Sequence, residues 1–238
     1  MVAQIVDRKN KWVFALLSRV NSLLVKRHFA TVEVVGRENI PQHGSFLLVC
    51  NHISRWDGLL VYDLIGRPAN FMVSPNELKG LQGVLLQSMG AFPASLKFDL
   101  QSHIRSLAAK GEALVVFPEG DIYRDGRTHP FKSGAARFAL NCAKAGLNIP
   151  IVPVALSYDE SGLKARVAVS EPISLDDYLA TQNVEPAVAT RSLTERLYRE
   201  VCHLRLMLGS QMDKVSLFTG KALKSWADTN PTREQMIT

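Results

Sequence analysis

Short apolar runs alternate along the chain with longer segments whose apolar residues recur at helical spacing. The apolar runs predict strands at 31–36, 45–50, 70–73, 113–117, 151–156 and 166–169. The helical spacing predicts helices at 57–65, 76–89, 100–110, from Ser133 or Gly134 to Gly146, and from Ser192 to Leu208. Because helices separate the buried strands, the pattern predicts an α/β sheet with helices on its faces.

Two local signals refine this pattern. Pro153 has no N–H group to donate, so the strand at 151–156 is predicted to lie near a sheet edge or to contain a bulge. Ser192-Leu193-Thr194-Glu195 has the form of a capping box, which predicts a helix start at Ser192. The apolar residues that follow at helical spacing predict that this helix packs on the sheet.

The N-terminal segment is predicted to form an amphipathic helix over residues 11–26. Its narrow polar strip contains Lys11, Ser18, Ser22 and Lys26. Apolar side chains cover most of the rest, so the helix either docks on the domain or lies in a membrane interface. The net charge of +6 comes mainly from residues 1–28, and basic residues there slightly favour a membrane surface.

The chain is expected to remain in the cytoplasm and to bind a membrane only peripherally, on its cytoplasmic face. No apolar run approaches the ~20 residues that a membrane-spanning helix needs. Arg19, Asn21 and Lys26 follow the first apolar run, where a secretory signal would place small residues. We predict a helical segment at 1–29, one domain at 30–224 and a frayed tail at 225–238.

Composition and motifs narrow the class of protein. Apolar residues make up 47% of the 238 residues and charged residues 21%, which is typical of a globular domain. Cys50, Cys142 and Cys202 are far apart, so they predict core residues in a reducing compartment rather than a zinc site or disulfides. We expect no metal, no cofactor and no nucleic-acid partner, because none of their motifs is found. A serine hydrolase is disfavoured because no serine has the G-x-S-x-G frame.

His52 and Asp57 are the residues best suited to catalysis. His52 follows the apolar run at 45–50, and Asp57 comes where a helix is predicted to begin. A carboxylate there can hold one imidazole nitrogen and raise the basicity of the other, which can then take a proton from a hydroxyl group. The spacing alone is weak, since roughly 0.3 such pairs arise by chance, and a buried structural histidine is the alternative.

Four other blocks surround this pair in order along the chain. They are Glu38-Asn39-Ile40-Pro41, Phe117-Pro118-Glu119-Gly120, Phe131-Lys132-Ser133-Gly134 and Ile151-Val152-Pro153-Val154. Together with Asn51-His52 and Asp57, the series resembles the glycerolipid acyltransferase family that includes 1-acylglycerol-3-phosphate acyltransferases. The resemblance runs from about Val32 to about Ser157, and the N-H-x-x-x-x-D and F-P-E-G blocks are intact.

The resemblance implies a fold and a reaction. The implied fold is a single α/β domain with a mixed, mostly parallel sheet covered by helices, preceded by the amphipathic helix. In the implied reaction, His52 deprotonates an acceptor hydroxyl, which attacks an acyl thioester of coenzyme A or an acyl-carrier protein, while Asp57 orients His52. The leading acceptor is lysophosphatidic acid. The alternatives are an acceptor without a phosphate and a catalytically silent lipid-binding protein on the same fold.

The predicted acceptor-binding residues depart from the family pattern. Family members that take glycerol phosphates usually continue E-G-T-R, whereas Ile122 occupies the arginine position here. A second block, in which a glycine is shortly followed by an arginine, offers only Lys97. Arg124, Arg127 and Lys132 are candidate substitutes, although lysine cannot copy the bidentate arginine fork.

Three further residues have two interpretations each. The resemblance implies that Glu119, with Gly120, binds the acceptor, and the alternative is a carboxylate that braces the loop. Ser133 begins a helix whose first N–H groups favour an anion, or it is a plain N-cap. Trp56 lines an acyl groove or packs in the core, and core packing is the more common role of such a residue.

Overall fold

A computed structural model describes residues 4–95, 97–147, 149–176, 178 and 185–209. The strands are β1 (Thr31–Val35), β2 (Phe46–Cys50), β3 (Ala69–Val73), β4 (Phe92–Pro93), β5 (Ala113–Val116), β6 (Ile151–Tyr158) and β7 (Lys164–Val169). The α-helices are α1 (Lys11–His28), α2 (Asp57–Ile65), α3 (Gly80–Ser88), α4 (Leu100–Ala109), α5 (Gly134–Lys144) and α6 (Pro186–Met207). Short 3-10 turns occupy Arg37–Asn39 and Pro75–Leu78.

The strands form one sheet in the order β1-β7-β6-β2-β5-β3-β4. Five of them, from β6 to β4 in this order, run parallel, and β7 pairs antiparallel with β6. β1 pairs parallel with β7 and so also opposes the other five. The predicted fold class, a mixed and mostly parallel sheet covered by helices, is therefore confirmed.

Helices cover both faces of the sheet, which explains why the apolar run of β2 is continuous. Every residue of β2 is buried. Leu47 and Val49 face a core shared with α4, α5 and α6, whereas Phe46, Leu48 and Cys50 face a core shared with α1 and α2. A strand that packs helices on both faces has no solvent side on which polar residues could alternate.

Two local predictions of helices are corrected by the structure. The single helix predicted at 76–89 is divided into the 3-10 turn and α3, because Lys79 between them is extended and Gly80, where α3 begins, has a φ of +62°. The capping box at Ser192 does not start a helix; α6 already begins at Pro186, and Ser192 lies within it. The face of α6 that carries Leu193, Leu197 and Leu204 is nevertheless buried on the sheet as predicted.

Pro153 lies in β6, which is an interior strand, so the prediction that it lies near a sheet edge is wrong. The alternative prediction of a bulge agrees with the pairing between β6 and the chain beside it. Ile151 is opposite Ile173, whereas Val154 is opposite Val169, so the chain beside β6 contains one extra residue. The missing N–H group of Pro153 falls within this irregular stretch, where no ladder bond is required. Its carbonyl still accepts a hydrogen bond from the Ser170 N–H at 2.9 Å.

The N-terminal helix α1 docks on α2 through the side that carries Asn21, Ser22 and Val25. Asn21 donates to the Leu59 carbonyl at 2.9 Å, Ser22 hydrogen-bonds Asp63, and Val25 is buried between them and the sheet. The opposite side leaves large apolar residues in solvent, with Trp12 83% and Leu23 66% exposed. None of the helices in the described ranges is long and apolar enough to cross a membrane.

Candidate active site

Asn51 fixes the chain where it leaves β2. Its side chain is fully buried and takes the place of a backbone pair with Leu156 of β6. Nδ2 donates to the Leu156 carbonyl at 3.1 Å, and Oδ1 accepts from the Leu156 N–H at 2.8 Å. The amide thus continues the ladder for one more residue, and the chain then turns away with His52 at the carboxyl edge of the sheet.

His52 and Asp57 are paired as predicted. Nδ1 of His52 lies 2.8 Å from Oδ2 of Asp57, whose side chain is 0% exposed. The same oxygen accepts the N–H groups of Ile53 at 2.7 Å and Ser54 at 2.8 Å, and these bonds hold the carboxylate at the start of α2. The other oxygen, Oδ1, accepts the hydroxyl of Tyr158 at 2.6 Å.

The orientation of His52 leaves one ring nitrogen for a substrate. Because the carboxylate binds at Nδ1, it favours the tautomer that carries its proton there and leaves a lone pair on Nε2. Nε2 has no partner among the described residues, and the side chain is 20% exposed. Phe117 stacks on the imidazole with ring centroids 4.3 Å apart, which limits rotation of the ring.

Glu119 braces the loop that follows β5. Its side chain is buried, and its two oxygens accept the N–H groups of His52 at 2.8 Å and His129 at 3.1 Å. Burial raises the pKa of Glu119 to about 8, against the opposing effects of these two N–H donors and of the Arg205 charge. The bracing interpretation therefore describes its contacts, and a direct role in acceptor binding stays a prediction.

Gly120 and Lys132 meet at the beginning and end of the same loop. Gly120 has a φ of +77°, and a Cβ at this position would collide with the Lys132 ammonium group. The Lys132 N–H donates to the Pro118 carbonyl at 2.8 Å and closes the loop. The structure thus holds one lysine cation directly over the glycine of the F-P-E-G block.

Residues far away in the sequence hold this loop over the dyad. Tyr123 donates its backbone N–H to the His52 carbonyl at 3.0 Å. Arg205 of α6 is buried and donates to Thr128 Oγ1 at 2.9 Å and to the Gly126 carbonyl at 3.2 Å. Sequence reasoning missed this arginine, although a charged residue at helical spacing from Val201 and Leu208 was a usable signal of a buried polar contact.

The other predicted acceptor-binding residues are less closely placed. Arg124 is exposed in the loop, and in the described part of the chain it has no contact with His52, Asp57 or Glu119. Lys97 is exposed beyond β4, which is separated from β2 by β5 and β3. Both lie on the carboxyl edge of the sheet, and their roles in acceptor binding stay predictions.

Trp56 takes the less specialised of its two predicted roles, whereas Ser133 does not act as a side-chain cap and its anion-binding role stays a prediction. Ser133 occupies the N-cap position of α5, although its side chain makes no capping hydrogen bond. Trp56 is partly buried, stacks on His28 at 3.8 Å and meets Phe29 edge to face at 5.7 Å. These contacts place Trp56 in the core beneath α1.

The described residues contain no group of three or more His, Cys, Asp or Glu side chains that could hold a metal ion. The three cysteines are buried and none of them is in a disulfide, as predicted from their spacing. A base at Nε2, a buried carboxylate behind it and a cation on the neighbouring loop suit proton abstraction from a hydroxyl group.

The fold is shared with a solved acyltransferase. The crystal structure of the 1-acyl-sn-glycerophosphate acyltransferase from Thermotoga maritima superposes with a TM-score of 0.61, covers 80% of each chain and is 19% identical. Two curated relatives are 1-acyl-sn-glycerol-3-phosphate acyltransferases. The protein of Bacillus subtilis is 27% identical over 70% of this chain and 86% of its own. That of Borreliella burgdorferi is 31% identical over 52% of this chain and 50% of its own.

These similarities define an enzyme of the O-acyltransferase class. The family model of acyltransferases matches residues 31–157, which is more than half of the chain and includes β1 to β5, β6 up to its last residue, and both His52 and Asp57. The chain belongs to the Acyltransferase family.

Proposed function

We propose that the protein transfers a fatty acyl group from an acyl thioester to a hydroxyl group of a lysophospholipid or a related acceptor. The observation that carries the proposal is the His52–Asp57 pair, in which a fully buried carboxylate binds Nδ1 and leaves Nε2 open at the carboxyl edge of the sheet. Names of relatives that act on 1-acylglycerol 3-phosphate support the acceptor class.

The reaction needs only a proton shuttle at Nε2. Nε2 of His52 takes the proton of the acceptor hydroxyl, whose oxygen attacks the thioester carbonyl and forms a tetrahedral oxyanion. The intermediate collapses by breaking the carbon–sulfur bond, and the imidazolium returns its proton to the leaving thiolate. Asp57 stabilises the imidazolium, and the oxyanion needs hydrogen-bond donors at the same edge of the sheet.

The acceptor is the finer part of the proposal. Lysophosphatidic acid leads because the relatives carry that activity in their names, and Lys132 can pair with its phosphate. Ile122 and Lys97 stand where arginines are usual in this type of enzyme, so phosphate binding rests on lysine rather than on a bidentate guanidinium. An acceptor without a phosphate is therefore the competing hypothesis.

A paired assay separates these acceptors. Thiol release from acyl-coenzyme A or acyl-carrier protein is measured with lysophosphatidic acid and with a monoacylglycerol of the same chain, which lacks only the phosphate. We expect turnover with lysophosphatidic acid, and Lys132→Ala should raise KM for that acceptor alone. Preference for monoacylglycerol would assign the other acceptor class. If neither acceptor reacts faster than with the His52→Ala variant, the proposed enzyme activity is wrong.

We further propose that the protein binds the cytoplasmic face of a membrane peripherally through the outer side of α1. That side exposes Trp12, Leu16 and Leu23, and basic residues border it, a combination that suits an anionic lipid interface. The inward side is already occupied by hydrogen bonds to α2, so the apolar side is free to enter lipid.

Vesicle sedimentation tests this surface with a matched control. The triple variant Trp12→Ser, Leu16→Ser and Leu23→Ser is compared with Val35→Ser and Leu163→Ser, which also remove exposed apolar groups but lie outside α1. We expect the triple variant to lose binding to vesicles that contain anionic lipid, and the control to keep it. Equal sedimentation of both variants would exclude α1 as the membrane contact.

A further inference from the structure

Tyr158 contacts the oxygen of Asp57 that does not face His52. Its hydroxyl donates to Oδ1 at 2.6 Å, while Oδ2 accepts from His52 and from two backbone N–H groups. Tyr158 lies at the end of β6, 101 residues beyond Asp57, and no sequence motif predicted this contact. Burial, followed by the Asp57 charge, raises the pKa of Tyr158 far above its usual range, so the hydroxyl remains a donor.

Packing gives the Tyr158 hydroxyl a single direction. Its ring stacks on Phe29 at 5.7 Å with planes only 10° apart, and its backbone is paired with Ala165 of β7. Phe29 is itself buried at the end of α1 and held edge to face by Trp56. The tyrosine therefore cannot turn away from Asp57 without disrupting the contact between α1 and the sheet.

We propose that Tyr158 is a positioning residue of the reaction, which acts on His52 through Asp57. The inference rests on the proposed function, because it assigns Tyr158 a role in the work of the His52–Asp57 pair. The hydroxyl draws electron density from the buried carboxylate, so that Asp57 holds the imidazolium less tightly. Without this donor, the carboxylate binds the imidazolium more strongly and His52 keeps its proton to higher pH.

Three other titratable groups lie around the dyad. Cys50 lies at the end of β2, but burial raises the pKa of its thiol well above the usual value, so it stays neutral. Glu119 contacts the His52 N–H from the loop after β5, and Arg205 of α6 acts on Glu119. None of these three groups is altered by the replacement of Tyr158 with phenylalanine, so a difference between the two proteins isolates the hydroxyl.

The test is the titration of His52 in the full-length protein, followed by NMR of labelled histidine. The His52→Ala spectrum assigns the signal. In Tyr158→Phe, which keeps the ring stacked on Phe29, we expect the midpoint to rise by about half to one pH unit. The acidic side of the pH profile of kcat/KM should move to higher pH by the same amount. At pH values below the midpoint, kcat/KM of Tyr158→Phe should therefore be about threefold to tenfold lower than that of the parent protein, and at high pH the two should be equal.

Two comparisons make the test decisive. Tyr62→Phe removes another buried tyrosine hydroxyl, from α2, and should leave the titration unchanged. The Tyr158→Phe effect should disappear when Asp57 is already Asn, because the hydroxyl acts through the carboxylate charge. An unchanged midpoint in Tyr158→Phe, a loss of kcat that is equal at every pH, or a shift that persists beside Asp57→Asn overturns the inference. Full activity of His52→Ala would instead overturn the proposed function.

Discussion

Replacement of Asp57 with asparagine isolates the charge of the carboxylate from its hydrogen bonds. Oδ2 accepts three N–H groups, from His52, Ile53 and Ser54, so only the amide oxygen can occupy that position. The amide nitrogen must then lie at the Oδ1 position, where the Tyr158 hydroxyl can turn and accept from it. The variant is therefore expected to keep the Nδ1–H tautomer of His52 and to lose only the negative charge.

The expected loss follows from the interaction between the imidazolium and the carboxylate. Two unit charges about 4 Å apart interact by about 4 kcal/mol at an effective dielectric constant of 20. An amide dipole retains part of this, so we expect kcat to fall by about 10² to 10³, with KM unchanged. Where such an amide turns its N–H toward the imidazole and imposes the wrong tautomer, the loss is about 10⁴.

Steady-state thiol release from the acyl thioester measures this loss, with His52→Ala and Asp57→Ala as reference variants. Asp57→Ala should also unfold more easily, because it leaves buried N–H groups without a partner at about 1–3 kcal/mol each. Asp57→Asn should differ little from the parent protein in urea unfolding. If Asp57→Asn is as inactive as His52→Ala, the amide has reversed or the geometry has changed, and the assignment of charge as the main contribution is refuted.

Three other substitutions test the loop beside the dyad. The folded protein keeps the Glu119 proton up to a pH of about 8, whereas the unfolded chain releases it near pH 4.5. Relative to Glu119→Gln, the parent protein should therefore lose about 1.4 kcal/mol of unfolding free energy per pH unit in this interval. If urea unfolding gives both proteins the same pH dependence from pH 5 to 8, this prediction is wrong. Gly120→Ala should destabilise the protein by about 1–2 kcal/mol and raise KM for a phosphate acceptor, because the new methyl group displaces Lys132. Gly80 also has a positive φ but lies in open space, so Gly80→Ala should show only the destabilisation. Equal KM values for the two variants would refute the role of Lys132. Arg205→Met should lower stability by about 1–3 kcal/mol and speed proteolysis within 118–131, and unchanged cleavage would exclude α6 as the support of this loop.

Features that depend on neighbours in the sequence were predicted well. The apolar runs located all the strands of the sheet except β4, whose two residues are too few for a pattern. His52 and Asp57 are five residues apart at the junction of a strand and a helix, so their contact needs only local geometry. The N-terminal helix was predicted from its spacing and extends two residues beyond the predicted end.

Features that depend on a single residue conformation were predicted less well. The sequence pattern predicts a continuous helix through Gly80, because a glycine within a helical pattern does not reveal by itself that it adopts a positive φ. Ser192 and Glu195 match a capping box, but the same two residue types are also compatible with a helix interior. Pro153 was restricted to an edge or a bulge, and only the pairing of its neighbours decided between them.

The sequence by itself determined the α/β class, because that class follows from the spacing of apolar residues, and it determined the His52–Asp57 pair through its place after a strand and the ordered family blocks around it. Only the tertiary structure decided what surrounds the pair. Tyr158 and Arg205 reach the site from β6 and α6, and their contacts depend on how distant segments pack rather than on any local pattern. Packing also decided which side of α1 faces α2, since Asn21, Ser22 and Val25 lie inward and Trp12, Leu16 and Leu23 are left exposed.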